Sequence, residues 1–114
     1  MKIIMVDTDP ERMIVLTGLL LQRGHELVAA FPTSEDVKRF LEEESDFTFD
    51  IAIVADLSGD GPAAAQLLSQ AFPDSQIIGH GTGEAFGNSY LPEAPPGVIV
   101  YHLGVMANVV RLRQ

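Results

Sequence analysis

The side chains that could do chemistry stand at the ends of apolar runs. Asp7 follows Lys2-Ile3-Ile4-Met5-Val6, with Thr8 and Asp9 next. Asp56 follows Ile51-Ala52-Ile53-Val54-Ala55, and Asp60 lies between two glycines just beyond it. Gly81 and Thr82 follow Gln76-Ile77-Ile78-Gly79-His80, and His102 closes Val98-Ile99-Val100-Tyr101. Grouped carboxylates are hard ligands for Mg²⁺. Each residue has a plainer role as well. Asp9 before Pro10 suits a helix N-cap, Asp60 suits a turn, and Thr82 can cap its loop. His80 and His102 lack metal-ligand spacing.

The elements that must position these groups alternate along the chain. Strands are expected at 2–6, 26–31, 51–55, 76–80 and 98–102. Helices are expected from Pro10 to about Gln22, after Thr33-Ser34, from Gly61-Pro62 to before Pro73, and from about Val105 onward. The run Ile51–Ala55 has no polar break, as in a strand buried on both faces of a parallel sheet. Alternating strands and helices give an α/β three-layer sandwich. The five strands should be parallel in the order 2-1-3-4-5, with right-handed crossovers. The segment Thr82–Gly97 holds three glycines and three prolines among its 16 residues. The fourth helix, which would lie there, should therefore be weak or replaced by a loop. In such sheets the carboxyl ends of the strands share one edge, so Asp7, Asp56, Thr82 and His102 should converge on an acidic pocket.

Composition narrows the function classes. A length of 114 residues fits one domain, 1–114, which can stand at the N-terminus of a longer signalling protein. Net charge −9 argues against nucleic-acid binding by this domain. No apolar run is long enough for a membrane span, and Lys2 precedes a short strand rather than a leader, so a cytoplasmic protein is expected. With no cysteine, disulfide and thiolate chemistry are excluded.

The chain resembles the receiver domains of two-component response regulators, the CheY-like (flavodoxin-like) fold. The resemblance spans essentially the whole chain. It rests on Ile3-Ile4-Met5-Val6-Asp7-Thr8-Asp9-Pro10, Phe49-Asp50-Ile51-Ala52-Ile53-Val54 and Phe72-Pro73-Asp74-Ser75-Gln76-Ile77-Ile78. It implies two adjacent acids after the first strand that hold Mg²⁺, and an aspartate ending the third strand that takes phosphate from a kinase histidine. It also implies a Thr or Ser after the fourth strand and a Lys after the fifth. This sequence departs at nearly every part. Thr8 takes the second acid's place, with Asp9 one step late. Counted from Asp50, the acceptor position falls on Ala55, and Asp56 lies one residue beyond it, which turns a side chain to the opposite face. The loop from Ala55 to Gly61 is shorter than the family's. Gly81 takes the hydroxyl position, with Thr82 beside it, and His102 stands where Lys is expected.

The resulting expectation is a pseudo-receiver, not an enzyme, acting in two-component (phosphorelay) signal transduction through phosphorylation-independent protein contacts. Its site residues are an acidic pocket of Asp7, Asp9 and Asp56, with Thr82 and His102 at the switch positions. No cofactor is expected, and Mg²⁺ binding at Asp7, Asp9 and Asp56 should be absent or weak. The alternative is a receiver that uses Asp56 as phosphoacceptor with Mg²⁺. A haloacid-dehalogenase-type phosphatase is a further alternative, from Val6-Asp7-Thr8-Asp9 and Asp56–Asp60, but Ser34 and Lys38 fall on a helix rather than at a strand end. Partners would be a signalling protein or a sensor histidine kinase, with a homodimer through the last strand and helix as a further candidate. Phe86, Tyr90 and Leu91, with Val105, Met106, Val109, Val110 and Leu112, would supply that surface.

Overall fold

A computed structural model describes residues 1–44 and 46–112, with side chains up to residue 109. Five strands, β1 (Lys2–Val6), β2 (Glu26–Phe31), β3 (Ile51–Ala55), β4 (Gln76–Gly81) and β5 (Ser89–Pro92), form one sheet in the order β2-β1-β3-β4-β5. Every neighbouring pair is parallel. The helices are α1 (Pro10–Gln22), α2 (Ser34–Glu43), α3 (Asp60–Ala71) and α4 (Pro96–Leu112).

The central strands are buried because they have a helix layer on each side. All five residues of β3 are buried, as are Ile3 to Val6 of β1. Strand alternation splits them between two cores. Ile3, Met5, Ile51, Ile53 and Ile78 pack against Leu16, Leu20, Ile99, Leu103 and Ala107 of α1 and α4. Ile4, Val6, Ala52, Val54 and Ile77 pack against Val37, Ala64, Ala65 and Leu68 of α2 and α3. The helix starts follow the sequence signals. Asp9 caps α1 by accepting from the Arg12 N–H (3.2 Å), and Thr33 caps α2 by accepting from the Asp36 N–H (3.2 Å).

The fifth strand lies earlier than the sequence suggests. Residues 98–102 are helical, in an α4 that begins at Pro96 rather than near Val105. A short β-branched run is ambiguous between buried strand and buried helix. Burial decides it: Ile99, Leu103 and Ala107 recur every fourth residue and face the core, and Pro96 is well suited to a helix start. β5 is instead the four-residue edge strand Ser89–Pro92, where a terminal proline removes no needed ladder bond. No helix separates β4 from β5, as the Gly/Pro content of that segment foretold.

In the loop before β5, Phe86 turns inward while its neighbours are exposed. The Phe86 ring meets Tyr90 in a tilted contact with centroids 5.3 Å apart and packs against the α2–α3 core. Asn88 completes the β4 edge: its Oδ1 accepts from the Ile77 N–H at 2.7 Å, and its own N–H donates to the Ile77 carbonyl at 2.9 Å. The exposed apolar surface is on the helices instead. Ile14 (73 %) and Leu21 (62 %) of α1, and Val98, Tyr101 (66 %), Val105 and Val109 of α4, face outward. Val110 and Leu112 lie outside the described side chains.

Candidate functional site

The carboxyl edge of the sheet brings together Asp7, Ala55 and His80. Strand alternation continues Met5 to Asp7, Ile53 to Ala55 and Ile78 to His80, so all three share the face covered by α1 and α4. Ala55 and His80 are register partners, and Ala55 lies on the strand between β1 and β4. Asp7 is 2 % exposed and His80 3 %.

Arg12, from the first turn of α1, closes this pocket. Its Nε donates to Asp7 Oδ2 and its Nη2 to Asp7 Oδ1, both at 2.6 Å. The bidentate fork is the strongest geometry available to a carboxylate and a guanidinium. Asp7 Oδ1 also accepts the Asp9 N–H at 3.0 Å, and Arg12 Nη1 lies 3.6 Å from Asp9 Oδ2. Asp7 and Asp9 therefore converge, through a protein cation.

Asp56 points elsewhere. Its N–H donates to the His80 carbonyl (2.8 Å), and its carbonyl accepts from the Gly61 N–H (2.7 Å). Its carboxylate lies against the loop after β4, where a Cβ on Gly83 would stand 2.7 Å from Asp56 Oδ1. Thr82 sits in that loop, exposed. His102 is not at a strand end: it lies on α4, where its Nε2 is 2.6 Å from Ser89 Oγ and ties the helix to β5. The sequence placement of His102 at the switch position rested on the displaced fifth strand and is corrected with it. Asp60 joins two helices: its carboxylate accepts from the Ser34 N–H (2.8 Å) and hydroxyl (2.6 Å), capping α2 from the start of α3. The same bonds hold Ser34 at the α2 terminus.

Two residues of the pocket, Arg12 and His80, carry weight that the sequence reading did not give them. The signal for Arg12 was its position. A cation in the first turn of a helix opposes the helix dipole and calls for a local anion, and Asp9 and Asp7 lie three and five residues before it. His80 Nε2 is buried without a hydrogen-bond partner among the described residues.

The electrostatics follow from this packing. Burial alone would raise the Asp7 carboxyl, but the Arg12 hydrogen bonds, the Asp9 N–H and the charges of Arg12 and His80 hold it below its ordinary value. Hydrogen bonding to Asp7 raises Arg12 against the opposing effect of its own burial. Burial, aided by the charge of Arg12 and opposed by that of Asp7, lowers His80. The pocket is then an ion pair beside an imidazole whose charged form burial disfavours.

These directions predict an acid-side loss of stability in two stages. A histidine depressed in the folded state is protonated first in the unfolded chain, so its contribution is complete above the ordinary 6.5 and declines as pH falls below it. The depressed Asp7 contributes fully above the ordinary 3.8 and loses that contribution as pH falls through its folded value. Urea unfolding as a function of pH should show both stages. His80→Asn should remove the upper one and leave the lower.

The residues do not fit the magnesium and phosphoacceptor chemistry that the receiver resemblance implies. Thr8 is exposed and offers no carboxylate, Ala55 offers none at the acceptor position, and a guanidinium holds both Asp7 oxygens. Asp7, Asp9 and Asp56 do not form a metal-holding group, and no three His or acidic side chains do so among the described residues.

No protein-family model matches the sequence, and no curated protein matches it. Solved structures do match. The response regulatory domain of protein mrkE from Klebsiella pneumoniae is similar at TM-score 0.78 and 20 % identity, covering 98 % of this chain and 99 % of that one. The signal receiver domain of a modulated diguanylate cyclase from Desulfovibrio desulfuricans matches at TM-score 0.75 and 19 % identity, covering 99 % and 98 %. A response regulator from Thermotoga maritima matches at TM-score 0.70 and 13 % identity, covering 90 % and 93 %. Strand order, parallel pairing and these full-length matches agree: the chain has the CheY-like fold of response regulator receiver domains.

Proposed function

We propose that this is a receiver module of two-component signal transduction that works through protein contacts and takes no aspartyl phosphate. The observation that carries the reading is Ala55, the last residue of β3, which stands where the resemblance would put the acceptor, in register with His80 and on the face of Asp7. A methyl group there cannot accept a phosphoryl group. Asp56, one residue on, lies against the loop after β4. The contact surface is the outward face of α1 and α4, where Ile14, Leu21, Tyr101 and Val105 are exposed. Exposed aromatic and aliphatic side chains grouped on adjacent helices are the material of protein interfaces. Its partner is another signalling protein, such as a sensor kinase, or a second copy meeting it across α4. The domain catalyses no reaction of its own. No described helix is long and apolar enough to cross a membrane, and a cytoplasmic site of action suits this role.

The test is incubation with acetyl phosphate and Mg²⁺ followed by intact-mass measurement. The expected result is no phosphoryl adduct. An adduct that disappears in Asp56→Asn would overturn the reading and make this a phosphorylatable receiver.

A further inference from the structure

We infer that Arg12 is the resident cation of this site: a side chain of α1 does the work that a soluble divalent ion would otherwise do, and its presence excludes that ion. The chemistry of the donors argues for it. Asp7 is a carboxylate with no exposed side-chain surface, at the end of a fully buried strand segment. An isolated buried carboxylate is costly and needs a cation or several donors. Here both of its oxygens are taken by one guanidinium, Oδ2 from Nε and Oδ1 from Nη2 at 2.6 Å each. The same guanidinium lies 3.6 Å from Asp9 Oδ2. One planar cation thus spans the two carboxylates that could have shared a metal.

The neighbouring positions agree with a cation fixed in place. Ala55 brings no third carboxylate, so the single charge of Arg12 is not outnumbered within the buried part of the pocket. His80, on the same face with its Nε2 unpartnered among the described residues, adds no anion. A divalent ion entering here would have to displace a two-point ion pair. It would then find at most two protein carboxylates, a poor exchange for an ion that gives up its water reluctantly. The cation is also part of a helix. Its position is set by the docking of α1 on the sheet, so charge balance at the sheet edge is coupled to α1 rather than to ion concentration. This inference concerns the same pocket as the proposed function, but cation uptake and phosphoryl transfer are read separately.

The experiment uses Mn²⁺, whose unpaired electrons broaden nearby amide resonances, with Mg²⁺ as the diamagnetic counterpart. In the wild-type chain, Mn²⁺ should leave the Asp7 and Asp9 amides no more broadened than those of exposed acidic stretches such as residues 42–44. In Arg12→Gln and Arg12→Met the carboxylates lose their cation. Saturable broadening should appear at Asp7, Thr8 and Asp9, and Mg²⁺ should raise the midpoint of thermal unfolding. Asp7→Asn in the Arg12→Gln background should abolish both effects, and Arg12→Lys should preserve exclusion. Arg12→Gln decides the outcome if Arg12→Met unfolds, because the amide can still donate to Asp7. Saturable broadening at Asp7 in the wild type would overturn the inference. So would a folded Arg12→Gln chain that is as indifferent to Mn²⁺ as the wild type.

Discussion

Arg12→Ala should cost the domain about 3 kcal/mol, the lower end of the range for removing one partner of a buried ion pair. The lower end applies because Arg12 retains 30 % of its side-chain exposure, so water can follow the guanidinium out, whereas Asp7 has none. Asp7 would also keep the Asp9 N–H. The measurement is urea unfolding, with a shifted midpoint at unchanged slope. Asp7→Asn in the Arg12→Ala background should be less destabilised than the sum of the two single changes, because it removes the stranded charge. A loss below about 1 kcal/mol would place the pair among exposed salt bridges and deny it any part in holding the pocket. A domain of this size has about 5–15 kcal/mol in all, so the expected loss is a substantial share of it.

This pair also marks where the sequence stopped being readable. The sheet order, the parallel pairing and the missing helix between β4 and β5 were legible because they follow from local patterns. Those patterns are unbroken apolar runs, Pro and Asp at helix starts, and Gly and Pro where no helix can form. The fifth strand was misplaced because Val98-Ile99-Val100-Tyr101-His102 has strand-like residue types but helix-like burial, and burial depends on what packs above it. The true β5 is four residues long and half-buried, too short and too polar to announce itself. His102 moved with that error, from a switch position to a tether on Ser89. At the site, residue types put Asp7 at the end of the first strand, and the count from Asp50 put the expected acceptor position on Ala55. They did not identify what satisfies Asp7. That depends on how α1 leans over the sheet edge, a tertiary fact that no spacing rule supplies. Asp60 shows the same limit: Gly-Asp-Gly reads as a turn, yet its carboxylate caps a helix 26 residues earlier.

Gly61→Ala should be at least as damaging as the loss of Arg12, and for a steric reason. Only a few residues separate the end of β3 from the start of α3, and the chain reverses through Leu57, Ser58 and Gly59 at φ values of 53, 55 and 100°. Left-handed backbone at two non-glycine residues is strained, and the turn has no slack left. It brings α3 down so closely that a Cβ on Gly61 would stand 2.0 Å from the Ala55 carbonyl oxygen and 2.8 Å from that of Asp56. Both obstacles are backbone, so no side chain can swing aside. Relief requires lifting α3 and stretching the Gly61 N–H bond to the Asp56 carbonyl, now 2.7 Å. The expected cost is about 3 kcal/mol or more, the upper end for overpacking, where soft side-chain neighbours give smaller values. The displacement should reach the pocket, because Ala55 and Asp56 are held to His80 through the β3–β4 ladder. The amide resonances of Asp56 and His80 should therefore shift even in conditions where the variant stays folded. Gly18→Ala is the matched control: it lies within α1 with nothing within 4 Å of an added Cβ, and should stabilise by roughly 1 kcal/mol through helix propensity alone. If urea unfolding finds the two glycine variants equally stable, then α3 does not rest on the end of β3 as closely as the geometry requires.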